Sequence, residues 1–290
     1  CYALPKALSP HLIACLKPGG NAVLSSVMNP NRVYLGDYVH GHFLKVQDPI
    51  GEVPSINPGD LCVAPLAFPF NYENIHEAVR SAKRSHVAWR RLSAVDRYKA
   101  ITRYRDVLKE QADILSYWIS YEMGKPLWES RTEVKDCIEM IDTYINQGSQ
   151  TTVEVKVSDL DDETSGIIRF FSRGVMAVLS PANMPVLTPH NHFIPALING
   201  NTIVFKSSKH TPMVAQCLAE CLHNAGLPAG VFNLVHGNWE SARRLIADPD
   251  IDGIFYTGPH ETGAKIQKQV AGDLHKQVVL QMGGKNATIV

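Results

Sequence analysis

Between residues 175 and 281 the chain alternates strand-sized apolar runs with helical stretches, and this alternation restricts the fold more than any other feature of the sequence. The runs are Val175–Leu179, Thr202–Lys206, Val231–Val235, Gly253–Tyr256 and Gln277–Gln281. Helices are predicted between them, from about Pro189 and over Pro212–Ala225, Trp239–Ala247 and Glu261–Ala271. A helix returns the chain to the end of the sheet from which the preceding strand set out. The strands must therefore run parallel, and the pattern predicts an α/β fold whose mostly parallel sheet is covered on both faces. Ligands of such sheets collect at the carboxyl ends of the strands, so chemistry is expected in the loops after residues 179, 206, 235, 256 and 281.

The preceding half reads as a helical layer. Ile75, Ala78, Val79, Ala82, Val87 and Trp89 recur at helical spacing from Asn74, and Tyr98, Ile101, Tyr104, Val107 and Leu108 continue the period after Ser93 and Asp96. A third helix is predicted from about Ala112 to Met123, stopped by Gly124 before Pro126, and a fourth from Leu127 to Gln147, closed by Gly148. Residues 1 to about 70 are rich in Pro, Gly and Asn, with apolar runs at Arg32–Leu35 and His42–Val46 that suit strands and turns at a domain edge. Thr151–Val157 alternates, Asp159–Gly166 reads as a polar turn and Ile167–Ser172 as extended chain. An isolated two-stranded ribbon of this kind is barely stable, so it is expected to pair with another subunit. The expected division is 1–150 for N-terminal strands and the helical layer, 151–173 for an oligomerisation hairpin, and 174–290 for a Rossmann-like cofactor domain.

Composition excludes several classes of function. With 28 basic residues against 28 acidic ones, no global field draws nucleic acid or an anionic membrane to the chain. No apolar run approaches the roughly 20 residues that span a bilayer. The opening, with Cys1, Pro5, Pro10 and Pro18, lacks the basic region and apolar core of a secretory signal and suggests a trimmed start. The cysteines form no CxxC pair and are too thinly spread for a disulfide framework, which predicts reduced thiols in a cytoplasmic protein. Cys217 and Cys221, four residues apart on a predicted helix, are expected on a buried apolar face rather than on a metal. Neither GxGxxG nor a phosphate-binding GxxxxGKS/T loop occurs, so a nucleotide would need another phosphate device.

Four strand-end loops carry distinctive wording: Ser180-Pro181-Ala182-Asn183-Met184-Pro185, Phe205-Lys206-Ser207-Ser208-Lys209-His210-Thr211-Pro212, Phe255-Tyr256-Thr257-Gly258-Pro259-His260-Glu261-Thr262-Gly263, and Leu280-Gln281-Met282-Gly283-Gly284-Lys285-Asn286. In that order they resemble the aldehyde dehydrogenase signatures PWNFP, KPSExTP, FTGSxxxG and LELGGKN. Pro195 to Thr202, Trp89 to Leu92 and Gly124 to Glu129 extend the resemblance over essentially the whole chain, and His190 to Lys206 is most similar to the succinylglutamate-semialdehyde dehydrogenase branch.

The resemblance implies NAD or NADP as cofactor and a small-molecule aldehyde as substrate. In that family a cysteine thiolate attacks the aldehyde, an asparagine amide holds the oxyanion, hydride passes to the nicotinamide, and an activated water hydrolyses the thioester. Asn183 would be the oxyanion donor, a contribution of about 3 kcal/mol when preorganised; the plain alternative is an Asn capping the following helix. Lys206 would reach the adenosine ribose, and Gly258 would admit the pyrophosphate beside a helix N-terminus. The plain alternatives are a solvated strand-end charge and a turn glycine. Gly283 and Gly284 would form the turn beside the nicotinamide, braced by Lys285. The same loops extend the implied cofactor contacts to Ser180, Pro181, Ala182, Ser208, Gly237 and Thr257.

The chain also departs from the family pattern. Gln281 stands where the family has its general-base glutamate, and an amide cannot accept that proton. Lys209 replaces the glutamate that binds ribose hydroxyls, a change that would favour a 2′-phosphate. Pro259 replaces a serine and offers neither hydroxyl nor N–H to phosphate. The family nucleophile follows the LELGGK motif by a few dozen residues, all six cysteines precede that motif and the chain ends at Val290, so the catalytic domain is expected to be missing and the chain alone inactive. Three readings stay open: part of an NAD(P)+-dependent aldehyde oxidase acting on an aldehyde such as a semialdehyde, a degenerate nucleotide-binding or assembly module, and an oligomerising partner of a complete subunit.

Overall fold

The computed structural model describes residues 33–151, 154–161, 164–284 and 287–289. The readings made of Cys1, the early prolines and Lys285 lie outside the described residues. Tyr34–Val290 pack as one unit.

Four short strands come first: β1 (Asp37–Val39), β2 (His42–Leu44), β3 (Gly51–Ser55) and β4 (Leu66–Phe70). Four helices follow, α1 (Glu73–Trp89), α2 (Ala94–Glu110), α3 (Ala112–Met123) and α4 (Leu127–Thr151), then the ribbon strands β5 (Val155–Asp161) and β6 (Thr164–Ile168). The alternating half is β7 (Val175–Leu179), α5 (Leu187–Ile198), β8 (Thr202–Lys206), α6 (Pro212–Asn224), β9 (Phe232–Val235), α7 (Trp239–Ala247), β10 (Gly253–Gly258), α8 (His260–Val270) and β11 (Gln277–Met282).

The main sheet has the order β11-β10-β7-β8-β9-β1-β2. Its β7 to β11 strands are mutually parallel, as the alternation requires, while β1 adds antiparallel to β9 and β2 to β1. Strands β1 and β2 thus belong to the same sheet as the alternating half. Strands β3 and β4 form a separate ribbon in which Pro54 and Pro69 are accommodated because each strand pairs on one side only.

Side chains of β7 alternate between two apolar layers, as a sheet buried on both faces requires. Met176 and Val178 join the layer made with α2 to α6, whereas Val175, Ala177 and Leu179 join the layer made with α1, α7 and α8. In the first layer Phe193 meets Phe205 and Phe232 edge-on, with ring centroids 5.3 and 5.4 Å apart. All three rings are buried, and truncating one to Ala would cost about 3–5 kcal/mol. Cys217 and Cys221 lie buried on α6, on the expected apolar face.

Local signals act as the sequence implies at the start of α2 and the end of α3. Ser93 accepts the Asp96 N–H at the start of α2, and Gly124 leaves α3 with φ +67°, a backbone shape that only glycine adopts without strain. Two expectations need correction. Helix α4 continues through Gly148 to Thr151, since one glycine costs a helix about 1 kcal/mol without ending it. The polar stretch expected as a turn over 159–166 is largely strand: Asp161 pairs with Thr164, after a register shift that begins at Val157. A ribbon outside the main sheet needs no apolar alternation, so polar residues do not mark its turn.

Candidate active site

From β7 the chain moves outward in one direction to β8 and β9, then returns to the other flank of β7 for β10 and β11. Loops leaving β7 and β10 therefore diverge and open a crevice at the carboxyl edge of the sheet. Leu179 pairs with Tyr256 and Lys206, Lys206 with Val235, and Thr257 with Gln281, so the strand ends are level. The loop after β7 brings Ser180, Pro181, Ala182 and Asn183 to this edge. The β10 end brings Thr257, Gly258 and Pro259, and the β11 end Gln281 and Gly283. Lys206, Ser208 and Lys209 after β8, and Gly237 after β9, lie farther along the same edge.

Asn183 is exposed and its side chain makes no hydrogen bond among the described residues. It does not cap α5. That role belongs to Glu133 of α4, whose Oε1 accepts the N–H groups of Val186 and Leu187 at 2.8 and 3.1 Å, while its Oε2 meets Lys125 Nζ at 3.1 Å. A buried carboxylate satisfied by two orphan helix donors and an ammonium thus anchors the loop that carries Asn183. Ser180 N joins this loop to the next by donating to Lys206 O at 3.4 Å.

Glu122 holds the loop after β8 in the same way. Its two oxygens accept Met213 N and Val214 N, each at 2.9 Å, and Ser55 Oγ donates to it at 2.6 Å. Burial pushes its carboxyl up to about 7 despite these donors. A third acid, Asp37 of β1, serves the loop after β9: Oδ1 accepts His236 N at 2.7 Å and Oδ2 the Asn74 amide at 2.9 Å. Burial brings Asp37 to about 7 as well.

Lys206 is buried, contrary to the reading of a solvated strand-end charge. Its Nζ donates to Ser207 O at 2.8 Å, and burial, with help from Lys209, lowers its pKa to about 8. The ammonium keeps donor capacity beyond that one carbonyl. Ser208 Oγ accepts His210 N at 3.2 Å, and Lys209 is exposed. Gly237 sits at φ +138°, and a Cβ there would lie 2.0 Å from Ser241 Oγ.

At β10, a Cβ on Gly258 would lie 2.4 Å from Tyr256 Oη, and that hydroxyl donates to Pro259 O at 3.0 Å. Helix α8 starts after Pro259 with no side-chain cap bond and with Glu261 in its first turn. Its N-terminus can receive an anion, but Pro259 contributes no donor and Glu261 adds an opposing charge. Thr257 Oγ1 stands 3.5 Å from Gln281 Oε1 and 3.2 Å from His192 Nε2, and the His192 ring stacks on Phe255 at 5.0 Å.

Motif reasoning passed over Glu122, Glu133, Asp37 and His192. A detectable signal existed for the two glutamates. Leu115, Ile119 and Glu122, and likewise Ser130, Glu133, Val134 and Cys137, share one helical stripe, and a charge on an apolar stripe needs a buried partner. Among the described cysteines, Cys62 lies between β3 and β4, Cys137 is on α4, and Cys217 and Cys221 are on α6, so none stands on a loop at this edge. Two concavities, of about 430 and 550 Å³, open between α3 and α4 and beside Arg173 and His275, away from the strand ends.

A model of the aldehyde dehydrogenase family matches residues 46–290. Similar curated proteins include N-succinylglutamate 5-semialdehyde dehydrogenase of Photorhabdus laumondii, 37% identical over 258 residues, covering 89% of this chain and 52% of the relative. The protein of the same name from Pseudomonas fluorescens is 39% identical over 216 residues, covering 74% of this chain and 44% of its own. The chain spans about half the length of these curated relatives. Among solved structures, lactaldehyde dehydrogenase from Escherichia coli superposes with a TM-score of 0.82 at 27% identity, covering 87% of this chain and 53% of that one. A mutant aldehyde dehydrogenase C from Pseudomonas syringae, in complex with NAD+ and octanal, gives 0.80 at 27% identity, covering 89% and 52%.

Proposed function

Because the chain belongs to the aldehyde dehydrogenase family, we propose that it forms the dinucleotide-binding part of an NAD(P)+-dependent oxidation of an aldehyde, a semialdehyde among the candidates, to a carboxylic acid. The observation that supports this most is the convergence of Asn183, Lys206, Gly258 and Gln281 on the carboxyl edge of one parallel sheet, around its switch point.

In this reading Lys206 and Ser208 hold the adenosine ribose, and the N-terminus of α8 with Gly258 and Thr257 faces the pyrophosphate. The backbone of Ser180, Pro181 and Ala182 lines one wall and Gly237 another, while Gly283 turns the chain beside the nicotinamide. The buried Lys206, with donor capacity beyond Ser207 O, fits a hydroxyl or phosphate oxygen. Lys209 adds a second cation and favours a 2′-phosphate, hence NADP over NAD. The nicotinamide, when bound, supplies the hydride acceptor. Asn183, on the loop whose helical end Glu133 holds and with no side-chain hydrogen bond among the described residues, donates its amide to the substrate oxygen as negative charge develops there.

Gln281 takes no proton, and none of the described cysteines stands beside Asn183, so the 290-residue chain by itself is expected to produce no NAD(P)H from any aldehyde. The same reading assigns 174–290 to the cofactor, 1–150 to its support and 151–173 to contact with a second copy. Support for that contact comes from Val155, Val157, Ile167, Ile168, Phe170 and Phe171, all solvent-exposed. The site of action proposed is the cytoplasm, on the strength of Cys62 and Cys137 being thiols; no helix among the described residues is long and apolar enough to cross a membrane.

Calorimetric titration with NAD+ and NADP+ tests the core of this reading. Binding of either nucleotide, weakened at least tenfold by Lys206→Ala, is the expected result. Absence of binding by both would overturn it and favour an assembly module.

A further inference from the structure

Gln281 pairs in register with Thr257, so their side chains leave the same face of neighbouring parallel strands. Phe255, two residues earlier on β10, leaves that face too, and α5 lays His192 across it, stacked on Phe255 at 12° between planes with Nε2 toward Thr257 Oγ1. The result is a single line across three elements: His192 Nε2, then Thr257 Oγ1 at 3.2 Å, then Gln281 Oε1 at 3.5 Å.

The direction of that line follows from a donor count. Thr257 has one hydroxyl proton, and the contact with the Gln281 carbonyl oxygen uses it. The contact with His192 must then be filled by the imidazole N–H. Burial holds His192 below the usual imidazole range, so the ring is neutral near pH 7 and carries one proton, which the donor count through Thr257 assigns to Nε2. No other titratable side chain faces His192 from β10 or β11 among the described residues.

We propose that His192 is a positioning residue which, through the Thr257 hydroxyl, turns the Gln281 amide so that its NH₂ group points out of the strand edge as a donor to a carbonyl or carboxylate oxygen. This rests on the reading that Gln281 borders the substrate position. A position occupied in the family by a proton acceptor becomes a hydrogen-bond donor here, suited to the acid or acyl side of the aldehyde–acid pair rather than to water activation.

The test uses the 15N-labelled 290-residue chain. Long-range proton–nitrogen correlation is expected to find His192 in the Nε2–H form. Thr257→Val should abolish that preference and Thr257→Ser should restore it, a rescue that a purely packing role for Thr257 would not show. Gln281→Glu keeps the direction of the line and should raise the His192 pKa by roughly one unit, because a carboxylate replaces the amide. Acetate should shift the Gln281 side-chain NH₂ resonances in the wild type and at least threefold less in His192→Phe. An Nδ1–H form of His192, a His192 titration unchanged by Gln281→Glu, or NH₂ resonances indifferent to acetate would each overturn the proposal. NAD+ and NADP+ titrations of the same samples report separately on the function proposed above. Lost nucleotide binding with the expected tautomer counts against that function alone, and the reverse outcome counts against this inference alone.

Discussion

The loops after β7, β8 and β9 differ from those after β10 and β11 in what holds them. Each of the first three is gripped by a buried carboxylate contributed from much earlier in the chain: Glu133, Glu122 and Asp37 in turn. The other two are held by their own neighbours, Tyr256 Oη on Pro259 and Thr257 on Gln281, and β11 is half exposed along its length. One side of the site is thus arranged before any ligand arrives. The other keeps freedom that a ligand or another protein surface must remove. Under the proposed role of Asn183 as oxyanion donor its position on the arranged side matters, because such a donor is worth most when its placement costs no rearrangement.

The largest test of this contrast removes a clamp. Glu133→Ala strips the acceptor from Val186 N, Leu187 N and Lys125 together, and is expected to lower unfolding stability by about 3–5 kcal/mol in urea titration. A loss below about 1 kcal/mol would end the idea that the helical layer fixes this loop.

Next comes pH. Glu122 and Asp37 are both raised by burial to about 7, from ordinary values of 4.5 and 3.8. Between about pH 4.5 and 7 the folded chain therefore holds protons that the unfolded chain has released. Their contribution is fully present below the unfolded values and is lost as pH rises through the folded ones. For Glu122 alone this amounts to about 3 kcal/mol across that window. The buried His190 and His236 add stability as pH rises over the same range, so the readout is the difference between variants. Denaturation should show Glu122→Gln losing about 2 kcal/mol less stability than the wild type from pH 5.5 to 8, while Asp37 keeps its own share. A change in stability between pH 5.5 and 8 that is the same in Glu122→Gln as in the wild type would contradict the Glu122 assignment.

A smaller effect concerns cofactor choice. If the arranged side grips the adenosine end, Lys209→Glu should move the ratio of NADP+ to NAD+ affinity about tenfold toward NAD+, measured by calorimetry. An unchanged ratio would place the 2′ position elsewhere. The smallest effect is expected on the unclamped side, where Gln281→Ala should change stability by no more than about 0.5 kcal/mol. A larger loss in urea titration would mean that this edge is built into the core after all.

Much of this was legible from residues alone. Val175–Leu179 and Thr202–Lys206 are strands because their apolar runs are short, continuous and bounded by turns, and the helical layer follows from spacing such as Ile75, Ala78, Val79 and Ala82. The loops at the strand ends follow from topology once the strands are parallel. What stayed hidden was the identity of the holders. Glu133 meets Val186 across 53 residues and Glu122 meets Met213 across 91, and no local signal names such a partner. The reading of Lys206 as a solvated charge fails: a lysine at a strand end is usually solvated, whereas this one is buried and donates to Ser207 O. The strand pairing of Asp161 with Thr164 escaped the sequence reading for a related reason, since polarity does not by itself mark chain reversal.

The edge strand β1 carries a consequence for how the chain is made. Asp37 binds His236 across 199 positions, and Tyr38 pairs with Leu234, so β1 finds its place only after β9, the fifth of the sheet's seven strands in chain order, has been synthesised. Until then β1 and β2 have no sheet to join, and once β9 is in place its outer flank presents unpaired backbone groups to any passing strand until β1 docks, the situation in which chaperones bind and chains join edge to edge. Pulse-labelled hydrogen exchange during refolding should find the amides of β1 and β9 protected last.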